Sequence, residues 1–372
     1  MAALTEEQSM IRDQAKSWVT EKAPVSKFRE MRNSGVETRF QPDTWQAMVD
    51  MGWTGILVPE QYGGSGLGYL TFGVVLEEVG RQLTASPLFA SAFVGASAIL
   101  VAGSEDQKQA VLPKVIDGSA ILTLAVDEGP RHDPGQVETT AEASGNGFIL
   151  EGNKTFVHEG LAATDYVVSA RTDAGVTLFL VPADSDGISR EALQTMDCRG
   201  YANVHFDGVA LGKDQVLGSV NMGAPALNII LDRARAGLCA EMLGTAAQAF
   251  DMTLEYLKTR EQFGQVIGSF QALGHRAADL FGKMELSRSC AEGALQAIDD
   301  DAENSAVMSS LAKAKVGAFL HEMSNQLIQI HGGIGMTDEF DAGFYLKRAR
   351  VLEASFGNQA FHRDRYATLK GF

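Results

Sequence analysis

The feature that most constrains this chain is a double change of periodicity. Residues 1–117 carry apolar side chains at helical spacing, residues 118–220 break into short β-type runs, and residues 221–372 return to helical spacing. A chain with that order folds as a helical domain, a β domain and a second helical domain, an α+β class that is mostly α. In the first zone Thr5-Glu6-Glu7-Gln8 has the form of a capping box, and Trp45, Met48, Val49 and Trp53 recur on one helical face. Residues 59–68 form a glycine-rich turn without the Lys-Ser/Thr of a phosphate loop. Further helices are expected over 69–82 and over the apolar stretch 88–101. In the second zone the runs 121–124, 148–150, 166–168, 176–181 and 204–206 are separated by turns such as Gly145-Asn146-Gly147, which predicts a compact barrel or sandwich. In the third, Leu231, Leu238, Met242, Ala246, Phe250, Leu254 and Leu257 mark one helix face. Two more long helices over 272–297 and 305–330 complete a bundle.

Composition narrows the partners. There are 31 positive and 47 negative residues, a formal net charge of -16. No global basic field exists to release counterions, which argues against nucleic acid as the main partner. An anionic ligand needs a local cluster of Arg or Lys. Cys198, Cys239 and Cys290 are an odd set without metal spacing, as expected in a reducing cytosol. Met1–Ser9 shows neither the basic nor the apolar segment of a leader, and no apolar run approaches the roughly 20 residues of a membrane span. The expectation is a cytoplasmic chain with neither a metal nor a membrane partner.

Two stretches carry ligand chemistry. The run from Arg260 to Gln271 closes one long helix, turns at Gly264 and enters the next at about Ser269. It sets a cation, an amide, an aromatic ring and a second amide in fixed order at a helix–helix corner. That suits an extended, anionic, part-aromatic ligand such as a dinucleotide, though a plain helical hairpin with a glycine turn accounts for it equally well. The run Gln329-Ile330-His331-Gly332-Gly333-Ile334-Gly335 is either a helix C-cap or a place where backbone approaches a ligand closely.

Taken together, Pro59-Glu60-Gln61-Tyr62-Gly63-Gly64, the β middle zone, Arg260-x-Gln262-Phe263-Gly264 and Gln329 to Gly335 resemble the acyl-CoA dehydrogenase family, nearly end to end. The resemblance implies an N-terminal helical domain (1–117), a middle β-barrel domain (118–220) and a C-terminal four-helix bundle (221–372). It implies FAD, an acyl-CoA thioester oxidised to the trans-2-enoyl-CoA in fatty acid or steroid degradation, and an electron-transfer flavoprotein as acceptor. It also implies a homodimer, a tetramer or a heteromer. Carried over by residue, Arg260 reaches the FAD pyrophosphate of a neighbouring subunit, with Gln262 beside it. Phe263 packs on the cofactor and Gln271 bonds near the adenosine half. Gln329, Gly332 and Gly333 cradle the pyrophosphate and adenosine end. In the middle domain Val126, Asp127 and Phe156 flank the flavin ring, and His158 replaces a hydroxyl at flavin N5, where an imidazole can also donate.

The same chemistry needs a carboxylate beside the substrate α-carbon, partly desolvated so that it is basic near neutral pH. The two positions at which the family places it fall here on Phe356 and on Ala234, the residue before Arg235. Glu241 lies seven residues beyond Ala234, about 10 Å along the same face, in an apolar run. A carboxylate there is either poised as the base or paired with Arg235 or Arg288. Glu241 is thus the expected base, Glu353 the next, and Arg235 a substrate-binding residue. Two functions follow: a complete flavoenzyme with a relocated base, or a base-less subunit that completes the FAD site of a catalytic partner. Family members acting on steroid side chains include such heteromers, and the ending His-Gly-Gly-Ile-Gly-Met-Thr-x-Glu resembles theirs. A flavin oxidase or hydroxylase on the same scaffold is the third reading.

Overall fold

The computed structural model describes residues 4–372; Met1–Ala3, the start of the stretch read for a leader, lie outside the described residues. The chain forms two compact units, one of Met1–Arg29, Tyr69–Thr84 and Arg235–Phe372, the other of Glu30–Gly68 and Ala85–Ala234.

The helices of the first zone are α1 (Glu6–Lys22), α2 (Val25–Ser34), α3 (Pro42–Asp50) and α4 (Gly68–Arg81). The capping box closes as expected: Gln8 N donates to Thr5 Oγ1 at 3.1 Å and Thr5 N to Gln8 Oε1 at 3.0 Å. The stretch 88–101 is not one regular helix. Leu88–Gly95 is wound as a wide π-type helix before α5 (Ala96–Ala102) and α6 (Glu105–Ile116). The cause is its attachment to the first strand: Ser91 Oγ donates to Ala120 O (3.2 Å) and accepts from Leu122 N (3.1 Å). A Cβ on Gly95 would lie 2.5 Å from that of Leu122.

The strands are β1 (Leu122–Ala125), β2 (Thr140–Ser144), β3 (Gly147–Val157), β4 (Asp165–Thr172), β5 (Gly175–Pro182), β6 (Ile188–Ala192), β7 (Ala202–Gly212) and β8 (Val216–Leu217). They form one sheet in the order β6-β7-β3-β2-β4-β5-β8, with β1 pairing parallel to β4. The path is open, so the barrel does not close. All five runs read as strands fall in β1, β3, β4, β5 and β7. Polar β2 and β6 have no apolar run to betray them. Inward residues such as Phe148, Leu150, Tyr166, Val168, Phe179 and Phe206 form the sheet's core, each contributing about 1.5–3 kcal/mol by leaving water.

The last zone comprises α7 (Gly223–Thr259), a two-stranded hairpin of β9 (Glu261–Gln262) and β10 (Gln265–Val266), α8 (Gln271–Asp299), α9 (Ser305–His331), α10 (Ala342–Ala354) and α11 (Gln359–Leu369). Helices α8, α10 and α11 pack on α9. Helices α4 and α7 cross backbone to backbone, since a Cβ on Gly80 would overlap Glu241 O and one on Gly244 would overlap Glu77 O. Asp299 caps α4 from outside it, accepting from Tyr69 N at 2.6 Å and Leu70 N at 2.8 Å.

Candidate active site

The Arg260–Gln271 run is a β-hairpin and a 3-10 turn, not a bare corner. Phe263 (φ 55°) and Gly264 (φ 80°) are its two central residues. Positive φ at both is the mark of a type I′ turn, the form that matches strand twist. Phenylalanine in that region costs roughly 1–2 kcal/mol, yet its ring is 92% exposed. A groove of about 470 Å³ opens beside it, lined by Arg260, Gln262 and Phe263 of the hairpin, Arg276 of α8, and Gln329 and His331 of α9. The two ligand motifs thus share one surface of one chain. The exposed Arg260 guanidinium has no side-chain partner among the described residues, while Arg276 Nη1 donates to Gln326 Oε1 at 3.1 Å. Gln271 is exposed on the first turn of α8 and does not line the groove. Nor do Gly332 and Gly333, which form the exposed C-cap of α9 with open space where a Cβ would stand. The sequence reading missed Arg276 and His331. The His331 ring is stacked on Tyr256 (4.2 Å) and tilted on Phe340 (4.7 Å). Its Nδ1 donates to Leu327 O at 2.7 Å, and burial pushes its pKa down against that hydrogen bond.

The groove's chemistry fits the diphosphate and adenosine end of FAD. It offers an unengaged guanidinium fork for phosphate, amides at Gln262 and Gln329 for polar edges, and the Phe263 ring for a base.

The middle domain holds a second cluster at the end of β1. Val126 is buried, and the Asp127 carboxylate accepts from His132 Nδ1 at 2.9 and 3.0 Å. Phe156 (φ 54°) stacks on Tyr201 at 4.4 Å and 15°. Half-buried His158 sits against Tyr201 (4.8 Å) and Phe89 (6.1 Å), and its carbonyl accepts from Thr123 Oγ1 at 2.5 Å. The four residues expected at the flavin are therefore gathered in one place. One face of Phe156 is already covered by Tyr201. Fully buried Lys154 ties the segment to β3.

Glu241, the expected base, is paired. Glu241 is 5% exposed, and its Oε1 accepts from Arg348 Nη2 at 2.6 Å and Nε at 3.1 Å. The guanidinium supplies the counter-charge that a carboxylate buried this deeply requires. Of the two expected partners, Arg288 is engaged elsewhere, its Nη1 donating to both oxygens of Glu77 at 2.7 and 2.8 Å. Arg235, expected to bind substrate, is 1% exposed, donates from Nε to Phe356 O at 3.4 Å and lies 5.4 Å over the Phe361 ring. Glu353 is engaged by Arg350 Nη1 (2.7 Å) and His321 Nδ1 (2.9 Å).

Phe356 itself is pinned. His362 Nε2 lies 2.9 Å from Phe356 O, and Lys313 Nζ donates to Leu352 O (3.1 Å), Glu353 O (3.2 Å) and Gly357 O (3.0 Å). Burial pushes Lys313 down from 10.5 to about 8, and neighbouring Arg235 adds to the effect against Cys239 and Glu353. Between about 8 and 10.5 the unfolded chain then binds more protons than the folded one, so this residue makes stability rise with pH across that window. Denaturant titrations from pH 7.5 to 10.5 should show the stability difference between wild type and Lys313→Met changing in favour of wild type as pH rises.

The two clusters offer residue types that suit a flavin dinucleotide. Family comparison agrees: the chain matches the acyl-CoA dehydrogenase N-terminal domain over residues 5–119, the middle domain over 124–209 and the C-terminal domain over 221–368. It is 30% identical to the probable acyl-CoA dehydrogenase YngJ of Bacillus subtilis over 97% of each chain. Among solved structures it is 32% identical to a Tcur3481-Tcur3483 steroid ACAD variant, covering 98% of each chain at TM-score 0.90. It is 27% identical to a chain of the ChsE4-ChsE5 complex from Mycobacterium tuberculosis, covering 100% of this chain and 99% of that one at TM-score 0.89. The chain belongs to the acyl-CoA dehydrogenase family, whose cofactor is FAD. Among the described residues no helix is long and apolar enough to cross a membrane.

Proposed function

We propose that this chain is the base-less subunit of a heteromeric acyl-CoA dehydrogenase, completing with its Arg260–Gln329 groove the FAD site of a partner that supplies the proton-abstracting carboxylate. The observation that carries the reading is the Glu241–Arg348 pair. The pair engages the best-placed carboxylate, and a pinned phenylalanine stands at position 356, which supports the reading. Similarity to a steroid dehydrogenase and to a two-protein complex, each across nearly the whole chain, supports a heteromer acting on a steroid-derived acyl-CoA. An electron-transfer flavoprotein is the proposed acceptor, the cytoplasm the proposed compartment, and 118 and 221 the proposed domain boundaries.

FAD, when bound, supplies the acceptor for the hydride that leaves the substrate β-carbon. Within this chain Arg260 meets the diphosphate with a planar fork, Gln262 and Gln329 orient the polar edges, and Phe263 shields the cofactor from water. Val126, Asp127, Phe156 and His158 form the strand-end cluster proposed to face the flavin ring.

The test is flavin bleaching. The chain purified alone and supplied with FAD should stay yellow when steroid-derived acyl-CoAs are added, and should bleach only after mixing with the partner dehydrogenase. Bleaching by the chain alone would refute the reading. In the mixture, Glu241→Gln should change turnover per folded complex by no more than about twofold, far below the 10²–10⁴-fold effect of losing a general base.

A further inference from the structure

Lys154 has no role in the reading so far, and its surroundings are unusual. It is 0% exposed on β3, and its ammonium donates to Glu128 Oε1 (2.6 Å), Val126 O (3.1 Å) and Ser169 Oγ of β4 (3.1 Å). All three of its protons are thus used. Glu128 is also saturated, accepting from Glu138 N at 2.5 Å and Thr139 N at 3.1 Å. Burial works against the Glu128 carboxylate, but the Lys154 charge and these donors outweigh it and hold its pKa low. The neighbouring residue on β3 extends the attachment. Thr155 N donates to Asp127 O at 2.7 Å and Thr155 Oγ1 to Gly129 O at 3.1 Å.

Removing both ions from water is expensive, and an apolar pair of the same volume often stabilises a fold as well or better. Stability alone is therefore a poor account of Lys154. What the pair does fix is the position and polarity of the Val126–Asp127 peptide. A cation bonded to its carbonyl polarises that peptide and strengthens its N–H as a donor.

We propose that Lys154 is a positioning residue for FAD: it holds the Val126–Asp127 peptide against the flavin and places a buried positive charge behind it that favours the electron-rich reduced ring. The inference rests on Val126 and Asp127 facing the cofactor and is independent of where the catalytic base lies.

The experiment uses the FAD-loaded complex and reads the flavin midpoint potential, FAD release by fluorescence, and thermal unfolding. Lys154→Met should shift the potential to more negative values and weaken FAD retention. The double variant Lys154→Met/Glu128→Leu should unfold near the wild-type temperature and keep the negative shift. A double variant with wild-type potential and FAD retention overturns the proposal. If both variants keep the wild-type flavin properties while Arg260→Ala still releases FAD, Lys154 is excluded and the heteromer reading stands. Should Lys154→Met fail to fold, the double variant decides on the same two outcomes.

Discussion

Arg348→Met should destabilise the helical unit by about 3–5 kcal/mol, because it leaves the Glu241 carboxylate buried without its counter-charge. The two side chains are 10% and 7% exposed, so water cannot take the place of the guanidinium. The surroundings cannot relax to help. Glu241 O is against Gly80 at the α4–α7 crossing, where no Cβ fits, and Thr245 Oγ1 donates to that same carbonyl at 2.9 Å. The double variant Arg348→Met/Glu241→Leu should recover most of the loss. Equilibrium denaturation measures both. An Arg348→Met variant within about 1 kcal/mol of wild type, the range of exposed pairs, would show that the pair is not desolvated in solution.

Arg260→Ala should leave the chain's own stability unchanged and weaken FAD retention in the assembled complex by about 10–100-fold, the equivalent of one charge-assisted hydrogen-bonding group. The contrast follows from the structure. The side chain is exposed and makes no hydrogen bond or ion pair among the described residues, so its loss removes little from the fold. Arg260→Lys should restore only part of the affinity, since an ammonium has the charge but not the planar fork. FAD release followed by fluorescence, with thermal unfolding of the isolated chain as control, separates the two effects. Equal FAD retention in Arg260→Ala and wild type would remove the groove from the cofactor site.

The helical–β–helical order was legible because two side-chain periods, 3.6 and 2, leave different marks in a sequence. Five strands and the long helices appeared where such marks exist. Strands β2 (Thr-Ala-Glu-Ala-Ser) and β6 (Ile-Ser-Arg-Glu-Ala) are mostly solvent-facing and left no mark. The hairpin at 261–266 was invisible for another reason: two-residue strands have no period at all. The ligand motifs could be read because their residues are contiguous. Pairings could not. Arg348 lies 107 residues from Glu241 and Glu77 lies 211 from Arg288, and no local rule connects them. The Arg348 partner of Glu241 was missed on that account. An isolated carboxylate in an apolar run signals a partner or a function, and only the tertiary structure shows which.

Phe263 stands against two local preferences at once. Its left-handed backbone favours glycine or asparagine, and its almost fully exposed ring favours removal from water. On the proposed function that cost is offset only in the assembly, where the ring covers the cofactor. Assembly and cofactor binding then draw on the same residue: the isolated chain carries the backbone strain without the contact that offsets it.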